Sequence, residues 1–476
     1  MFAGGLLSAW PSRVGPTPLI AAGAEPLEGA RVRHGHQGVI WPPSQAVLEY
    51  AVALKAGTFD RCYVEIVKHP DDAWYPTGIY QYDLHFDNNV LSSNYMVYEA
   101  IGASAGDSLP FSVALFLGGI WHNIRKPSHR PQVLSWTWLV DTLYVHRNGV
   151  LLGSFADVAK TFTTVGGREG NNRIATQHAC SRGARYSARY AFGAVPTEDQ
   201  IVALHGERMA RFEISATEWD PLSLTTALYL CSAGKFGTPA GTNTAWEGGS
   251  NRIRLWYNLA SSVSGVFEQH TDFVIGADNG NQAPDEGVRI NGLPTLKTGV
   301  NKFGTLNQNL SAYITTTEFD VKAVVRVDSI TSTQASNPYE RDALFAETTG
   351  GVFAVSAALM SGVPSIGCCF FDGVGSGLAR WKYPNVPITI GQPGLLHVTL
   401  TGGTLSVRWN DGTPATASVA ALSDALARSG TLARGWGASP PFKGDVATMI
   451  CRKVVPSAGN QTIERVWLGD DYGVAV

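Results

Sequence analysis

Apolar and polar side chains alternate along much of the chain. Phe319-Asp320-Val321-Lys322-Ala323-Val324-Val325-Arg326-Val327 alternates almost without a break, and Leu48-Glu49-Tyr50-Ala51-Val52-Ala53-Leu54 alternates large with small or polar residues. A period of two sends successive side chains to opposite faces of a pleated backbone, so each stretch predicts a half-buried strand. Phe319 and Val321 then point inward, and Glu318 and Asp320 face solvent. Helical signals are few. Thr197-Glu198-Asp199-Gln200 is a capping box, and Ile201, Leu204 and Ala210 follow at helical spacing, which predicts a short helix ending near Arg211. Thr462 to Val466 carries a weaker helix signal, and Val419 to Arg428, stopped by Gly430, predicts another short helix. Residues 1–28 have four prolines and no sustained period. They predict an extended N-terminal arm whose apolar residues Phe2, Leu6, Leu7, Trp10, Leu19 and Ile20 need a surface to cover, which makes them candidates for an assembly contact.

An internal repeat organises the rest. Thr142-Leu143-Tyr144-Val145-His146-Arg147-Asn148-Gly149 and Thr404-Leu405-Ser406-Val407-Arg408-Trp409-Asn410-Asp411-Gly412 share T-L-x-V-x-x-N, each a strand running into a hairpin turn. Downstream, Val195-Pro196 and Val455-Pro456 follow at near-equal spacing, and upstream the alternating strands at Leu48 and Phe319 keep the same order. Three landmarks in one order predict two copies of one domain, over 29–212 and 213–476.

Composition narrows the class. Only 16% of residues are charged, and 52 of 476 are glycine, above the about 7% usual, as expected of many strands and tight turns. Thirty-six Lys and Arg against 39 Asp and Glu leave a net charge of −3, so no global cationic field draws the chain to nucleic acid. No apolar run approaches the about 20 residues of a membrane span, and Met1 to Leu7 lacks the basic start of a secretory leader. The six cysteines include no C-x-x-C pair and no Cys/His metal spacing, and are expected to be buried reduced thiols.

Trp136 and Trp138 on a strand, then Asp141-Thr142-Leu143-Tyr144-Val145, Asn148-Gly149-Val150-Leu151 and Gly153-Ser154, resemble the concanavalin A-like lectin/glucanase superfamily in its laminin-G-like branch. Val195-Pro196-Thr197 to Gly206 resembles the helix that ends the family's last core strand, Arg452 to Tyr472 a looser version of it, and Val288-Arg289-Ile290-Asn291-Gly292 an early Asn-Gly turn. The resemblance implies an all-β fold: two antiparallel jelly-roll β-sandwiches in tandem, with short helices and the N-terminal arm. Such folds host lectins, hydrolases and structural modules, so function has to come from a site.

Hydrolases of the superfamily carry E-x-D-x-E on one strand, which puts three carboxylates on one face. Here Glu318-Phe319-Asp320 runs into Lys322, and Glu340-Arg341-Asp342 to Glu347 is out of phase, reading as a loop entering a strand. Gly373-Val374-Gly375-Ser376-Gly377 lacks the Lys-Ser/Thr of a phosphate loop, and His34-Gly35-His36 lacks a third ligand. No catalytic residue and no required cofactor is expected. Calcium is the one candidate ion, at the Asx-rich turn of Asp278, Asn281 and Asp285, where a plain turn is the simpler reading. Glycan binding needs aromatic faces beside hydrogen-bonding groups, and the candidates are Trp74, Tyr75, Trp121, Trp246, Trp381 and Trp436, with Tyr383 and Asn385 close to Trp381. Arg168, Arg173, Arg182, Arg185 and Arg189 form a basic stretch suited to phosphorylated polysaccharide or an acidic subunit.

A lectin-like fold without leader, membrane anchor or disulfide framework fits a protein assembled in a host cytoplasm and released by lysis. The resemblance therefore implies a non-enzymatic bacteriophage virion surface protein, a capsid decoration or tail-fibre component. Its expected partners are other virion proteins, further copies of itself and host surface polysaccharide, without nucleic acid or membrane insertion. The alternative is a bacterial glycan-binding or glycan-hydrolysing protein of the same superfamily.

Overall fold

A computed structural model describes side chains for most of residues 133–155, 196–215, 227–230, 295–332, 341–372 and 380–476 (less 421–429 and 434–439), and the backbone of strands elsewhere. The chain divides into two compact units, residues 1–216 without 105–107, and 217–476 with 105–107. Both are built almost wholly of antiparallel strands.

In the first unit, β1 (Arg61–Val67), β2 (Gln132–Leu139), β3 (Thr142–Arg147), β4 (Val150–Phe155) and β5 (Tyr190–Phe192) form a sheet in the order β4-β3-β2-β1-β5. Helix α1 (Glu198–Phe212) follows. Its capping box is closed in both directions: the Thr197 amide donates to Gln200 Oε1 at 2.9 Å, and the Gln200 amide to Thr197 Oγ1 at 3.3 Å. Ile201, His205 and Met209, one turn apart, are its buried face.

The second unit contains β6 (Phe319–Ser329), β7 (Asp342–Glu347), β8 (Phe353–Met360), β9 (Val363–Phe371), β10 (Trp381–Lys382), β11 (Asn385–Pro387), β12 (Pro393–Thr401), β13 (Thr404–Trp409), β14 (Ala415–Ser418), β15 (Ser429–Leu432) and β16 (Lys443–Arg452). Helix α2 (Ala458–Tyr472) closes it, capped by the Ser457 side chain and ended by left-handed Gly473 at φ +63°. One sheet runs β14-β13-β12-β6-β16, the other β15-β7-β8-β9-β10 with β11 also on β9. Their facing sides meet in a core of Phe319, Phe345, Phe353 and Phe370, with Phe319 ring centres 5.3 Å from Phe353 and 6.1 Å from Phe370.

The order β4-β3-β2-β1-β5 recurs as β14-β13-β12-β6-β16 within the larger sheet of the second unit, and the T-L-x-V-x-x-N segments fill matching strands β3 and β13 of these separate sheets. The repeated asparagine has a physical reason. Asn148 and Asn410 both sit in the left-handed region, at φ +51° and +53°. Each side-chain Oδ1 then accepts the amide of the neighbouring strand, Val133 at 2.9 Å and Leu395 at 2.7 Å, and each backbone amide donates to the carbonyl of that same residue. Alanine at 410 would strand a strand amide and strain the turn. Asn410→Ala is expected to cost about 2–3 kcal/mol in chemical denaturation of the full chain.

Three expectations need correction. Residues 1–28 are not an unpaired arm: Phe2–Ala3 pairs with Leu6–Leu7, Ala9–Trp10 with Leu19–Ala21, and the last of these with Val47–Tyr50. Phe2, Leu6, Leu7, Trp10, Leu19 and Ile20 thus all lie on strands of two or three residues, too short to show a period. Gly430 stops no helix, since it lies inside β15, and Val419 is not helical, while 421–428 lie outside the described residues. Finally, β6 is buried on both faces, with Asp320 and Lys322 each 0% exposed, because α2 lies over the face assigned to solvent.

Candidate functional site

The second sheet of unit two has bulky residues on its inner side and small ones on its outer side. Cross-strand pairing sets Thr431, Ala346, Ala354 and Cys369 in one row across β15, β7, β8 and β9, and Ala343, Ser356, Gly367 and Asn385 in the next. At Gly367 any Cβ would lie 2.4 Å from the Pro384 carbonyl oxygen, so only glycine lets the chain entering β11 cross so closely. Trp381 and Tyr383, both partly buried, pack on Ala343, Ala346, Ala354 and Cys369. Beneath Tyr383 the guanidinium of buried Arg341 lies 3.5 Å from the ring centre and donates to Cys369 Sγ at 3.1 Å. The Tyr383 hydroxyl donates to the Ser356 carbonyl at 3.0 Å.

At the edge of this face β10 carries an aromatic and cationic rim. Trp381 pairs across the strands with Phe371, ring centres 5.0 Å apart, and the exposed Arg380 holds its guanidinium 5.0 Å over the same Phe371 ring. The Asp372 amide donates to the Arg380 carbonyl at 2.9 Å, fixing where the chain leaves β9 and rejoins β10, and Lys382 Nζ lies 3.5 Å from the Asp372 carboxylate. Both feet of segment 434–439 stand on β7: the Ala433 amide donates to the Leu344 carbonyl and the Pro440 carbonyl accepts from Ala343. Ala433 is held at φ +57°, a conformation alanine rarely adopts and one that recurs at ligand clamps.

Of the glycan candidates, then, Trp381 belongs to an arranged site. Trp121 lies on the strand Ile120–Ile124, opposite Phe116, of which only the backbone is described. Trp74, Tyr75, Trp246 and Trp436 lie outside the described residues, as do Asp278 and Asn281, and Asp285 is described as strand backbone only. No group of three His, Cys, Asp or Glu among the described residues is arranged for a metal ion. The reading of the sequence placed Arg341 at a loop entering a strand. Its role under Tyr383 depends on residues 42 positions apart that pair only through the sheet, and no local signal carries it.

The interrupted E-x-D-x-K strand is no open carboxylate face. Asp320 Oδ1 lies 2.6 Å from His397 Nε2, while Oδ2 accepts from Lys322 Nζ at 2.6 Å and from Arg452 Nε at 2.8 Å. Glu464 of α2 closes the cluster, 2.9 Å from Lys322 and hydrogen-bonded to Arg452. Burial raises the Asp320 carboxyl, but Lys322, His397 and Arg452 outweigh it and hold the group well below the usual carboxylate range. Glu318 Oε1 accepts the Val455 amide at 2.9 Å. Both carboxylates are used in holding the fold. At the matching register positions the first copy has Cys62, Val64, Ser135, Phe192 and Leu204 in place of Asp320, Lys322, His397, Arg452 and Glu464.

A hydroxyl–imidazole pair, Ser135 Oγ and His205 Nε2 at 2.9 Å, also invites a catalytic reading. Its hydrogen bonds exclude one. The Gly149 amide donates to His205 Nδ1 at 2.8 Å, so that nitrogen is unprotonated, the neutral ring carries its proton on Nε2, and it donates to Ser135 instead of taking its proton. Arg465, at the matching position of α2, instead donates to the Asn410 carbonyl. Burial, with His146 adding to it, pushes His205 down to about 3. Between pH 6.5 and about 3 the unfolded chain therefore binds a proton that the folded site refuses. Stability from this group is complete above 6.5 and falls with acid, by up to about 1.4 kcal/mol per pH unit. His205→Gln is expected to be less stable at pH 8 yet to show a shallower loss between pH 6.5 and 4 in denaturant titrations.

The class defined by these features is an all-β protein of antiparallel strands with a helix closing each unit. Solved structures matching the chain include mouse laminin α1 domains LG4–5, at 10% identity over 89% of this chain and 91% of that one, TM-score 0.29. A heptameric SAP-like pentraxin from Limulus polyphemus matches at 12% identity over 37% and 84%, TM-score 0.28. The CBM40 domain of Ruminococcus gnavus IT-sialidase, bound to α2,3-sialyllactose, matches at 14% over 38% and 96%, TM-score 0.26. No protein-family model and no curated protein sequence matches the chain.

Proposed function

We propose that the chain is a non-enzymatic glycan-contacting protein of a bacteriophage particle surface, a capsid decoration or tail component assembled with other virion proteins and with copies of itself. The observation that carries the glycan contact is the rim of β10, where the partly buried Trp381 ring stands beside Phe371 and Arg380 at the edge of a floor of small residues. Aromatic faces take the C–H surfaces of sugar rings, and an adjacent guanidinium supplies donors for hydroxyl or acidic groups. The non-enzymatic part is supported by the occupied state of Asp320 and Glu318 and by the tautomer of His205. Assembly in a reducing cytoplasm is supported by Cys368, Cys369 and Cys451, all free and buried; burial pushes the Cys369 thiol up to about 12, so it stays protonated and unreactive.

Two measurements test this reading. Trp381→Ala should lower the melting transition through lost packing on the small-residue floor and, measured where the variant is still folded, lower binding to host surface oligosaccharides at least tenfold; unchanged binding by the folded variant would remove the site. Mass spectrometry of particles purified from a lysate should find the chain at fixed copy number, and its absence would remove the virion assignment.

A further inference from the structure

We infer that Arg408 and Arg465 form a second binding site, for a phosphate monoester carried on a sugar, on the sheet face between α2 and the edge strand β14; it is separate from the β10 rim and does not depend on it. Strand register places the site. Lys322, His397 and Arg408 pair across β6, β12 and β13 as one row, and Asp320, Thr399, Ser406 and Thr416 make the next row, which extends to β14. Glu464 of α2 reaches Lys322, and His397 bonds Asp320, so both rows face α2. Arg465, the next residue of that helix, donates to the carbonyl of Asn410, two residues beyond Arg408. Helix and strand thus bring the two arginines to one place. The chain around both, 380–420 and 440–476, is described throughout.

The distribution of charge carries the inference. Asp320 is shared by His397, Lys322 and Arg452, and Glu464 by Lys322 and Arg452, so the two carboxylates under α2 are already spent on the two cations there. Arg408 and Arg465 stand outside this balance. Among the described residues neither makes an ion pair with a carboxylate, and Arg465 Nε is buried without an acceptor. Burial, and then the charge of Arg408, lower the Arg465 guanidinium; Asp411 at the exposed turn offsets them only in part. Two like charges held together cost energy that an anion recovers. A phosphate monoester carries nearly two charges near neutral pH and matches both guanidiniums, each with parallel N–H donors for two oxygens, whereas a carboxylate answers one. The hydrogen bond to Asn410 holds Arg465 in place before the ligand arrives, so less freedom is lost on binding. Thr399 and Ser406, half-buried and without a side-chain hydrogen bond among the described residues, lie one row along, about 7 Å away, within reach of the hydroxyls of an attached sugar.

The test titrates the full chain by calorimetry with glucose 6-phosphate, inorganic phosphate, glucuronate and glucose. Saturable binding is expected for both phosphates, tighter for the sugar phosphate, and weaker by about tenfold or more for glucuronate and glucose. Arg408→Gln should weaken phosphate binding by about tenfold or more without lowering the melting transition of the free protein, because Arg408 gives up no ion pair; Arg408→Lys, which keeps the charge and loses the planar fork, should fall between the two. Trp381→Ala, measured where it is folded, should bind the sugar phosphate like the parent. Equal binding of the two phosphates would keep the arginine pair and strike out the sugar contact. No phosphate binding, glucuronate or glucose binding as tight as phosphate, or Arg408→Gln binding like the parent would overturn the inference. So would loss of phosphate binding in folded Trp381→Ala, which would move the ligand to the β10 rim.

Discussion

Asp320→Ala is expected to destabilise the second unit by about 3–5 kcal/mol. The substitution leaves Lys322 and Arg452 facing each other under α2 with Glu464 as their sole remaining carboxylate in the cluster, and removing one partner of a buried ion cluster strands the others in a medium of low polarity. A contrasting variant separates this from the cluster's net worth. Changing Asp320, Lys322, His397, Arg452 and Glu464 together to the Cys, Val, Ser, Phe and Leu of the first copy removes every charge at once. The result should lie within about 2 kcal/mol of the parent, or above it, since a buried charge cluster often does no better than apolar packing of similar volume. Calorimetry of the full chain reads both variants. A five-residue variant as unstable as Asp320→Ala would mean that the two copies do not share this packing.

The second large effect lies on the helix that covers the cluster. Trp467 is 1% exposed and meets Trp219 edge to face, ring centres 5.3 Å apart. Trp467→Ala opens a cavity the size of an indole under α2 and is expected to cost about 3–5 kcal/mol in urea denaturation. Because the same helix delivers Glu464 to Lys322, this variant should also raise amide exchange along β6 near Lys322, whereas a cavity without coupling would leave β6 protected.

Much of the fold was legible in the sequence because the signals are local. The T-L-x-V-x-x-N repeat, the Thr197 capping box and the left-handed asparagines each record a backbone requirement within a few residues. The burial of Asp320 and Lys322 was not legible, for alternation reports only that two faces differ, never what lies over each. The covering helix carries a weak periodic signal, and the cluster collects residues from β6, β12, β16 and α2, scattered from 320 to 464. The two-residue strands at Phe2, Leu6 and Trp10 escaped for a different reason, since a strand so short is specified by its partner and not by its own pattern. At the candidate site Trp381 was visible as an aromatic beside polar residues. Arg341, the small-residue rows and the pairing with Phe371 depend on strand register, which sequence spacing alone does not fix.

We propose that this protein holds a surface glycan without cutting it. The most direct measurement incubates the purified full chain with host surface polysaccharide and follows co-sedimentation and the release of new reducing ends in the same sample. The expected result is saturable co-sedimentation with no new reducing ends over hours. Reducing ends that rise with protein concentration, or polysaccharide that leaves the protein in the supernatant, would contradict it.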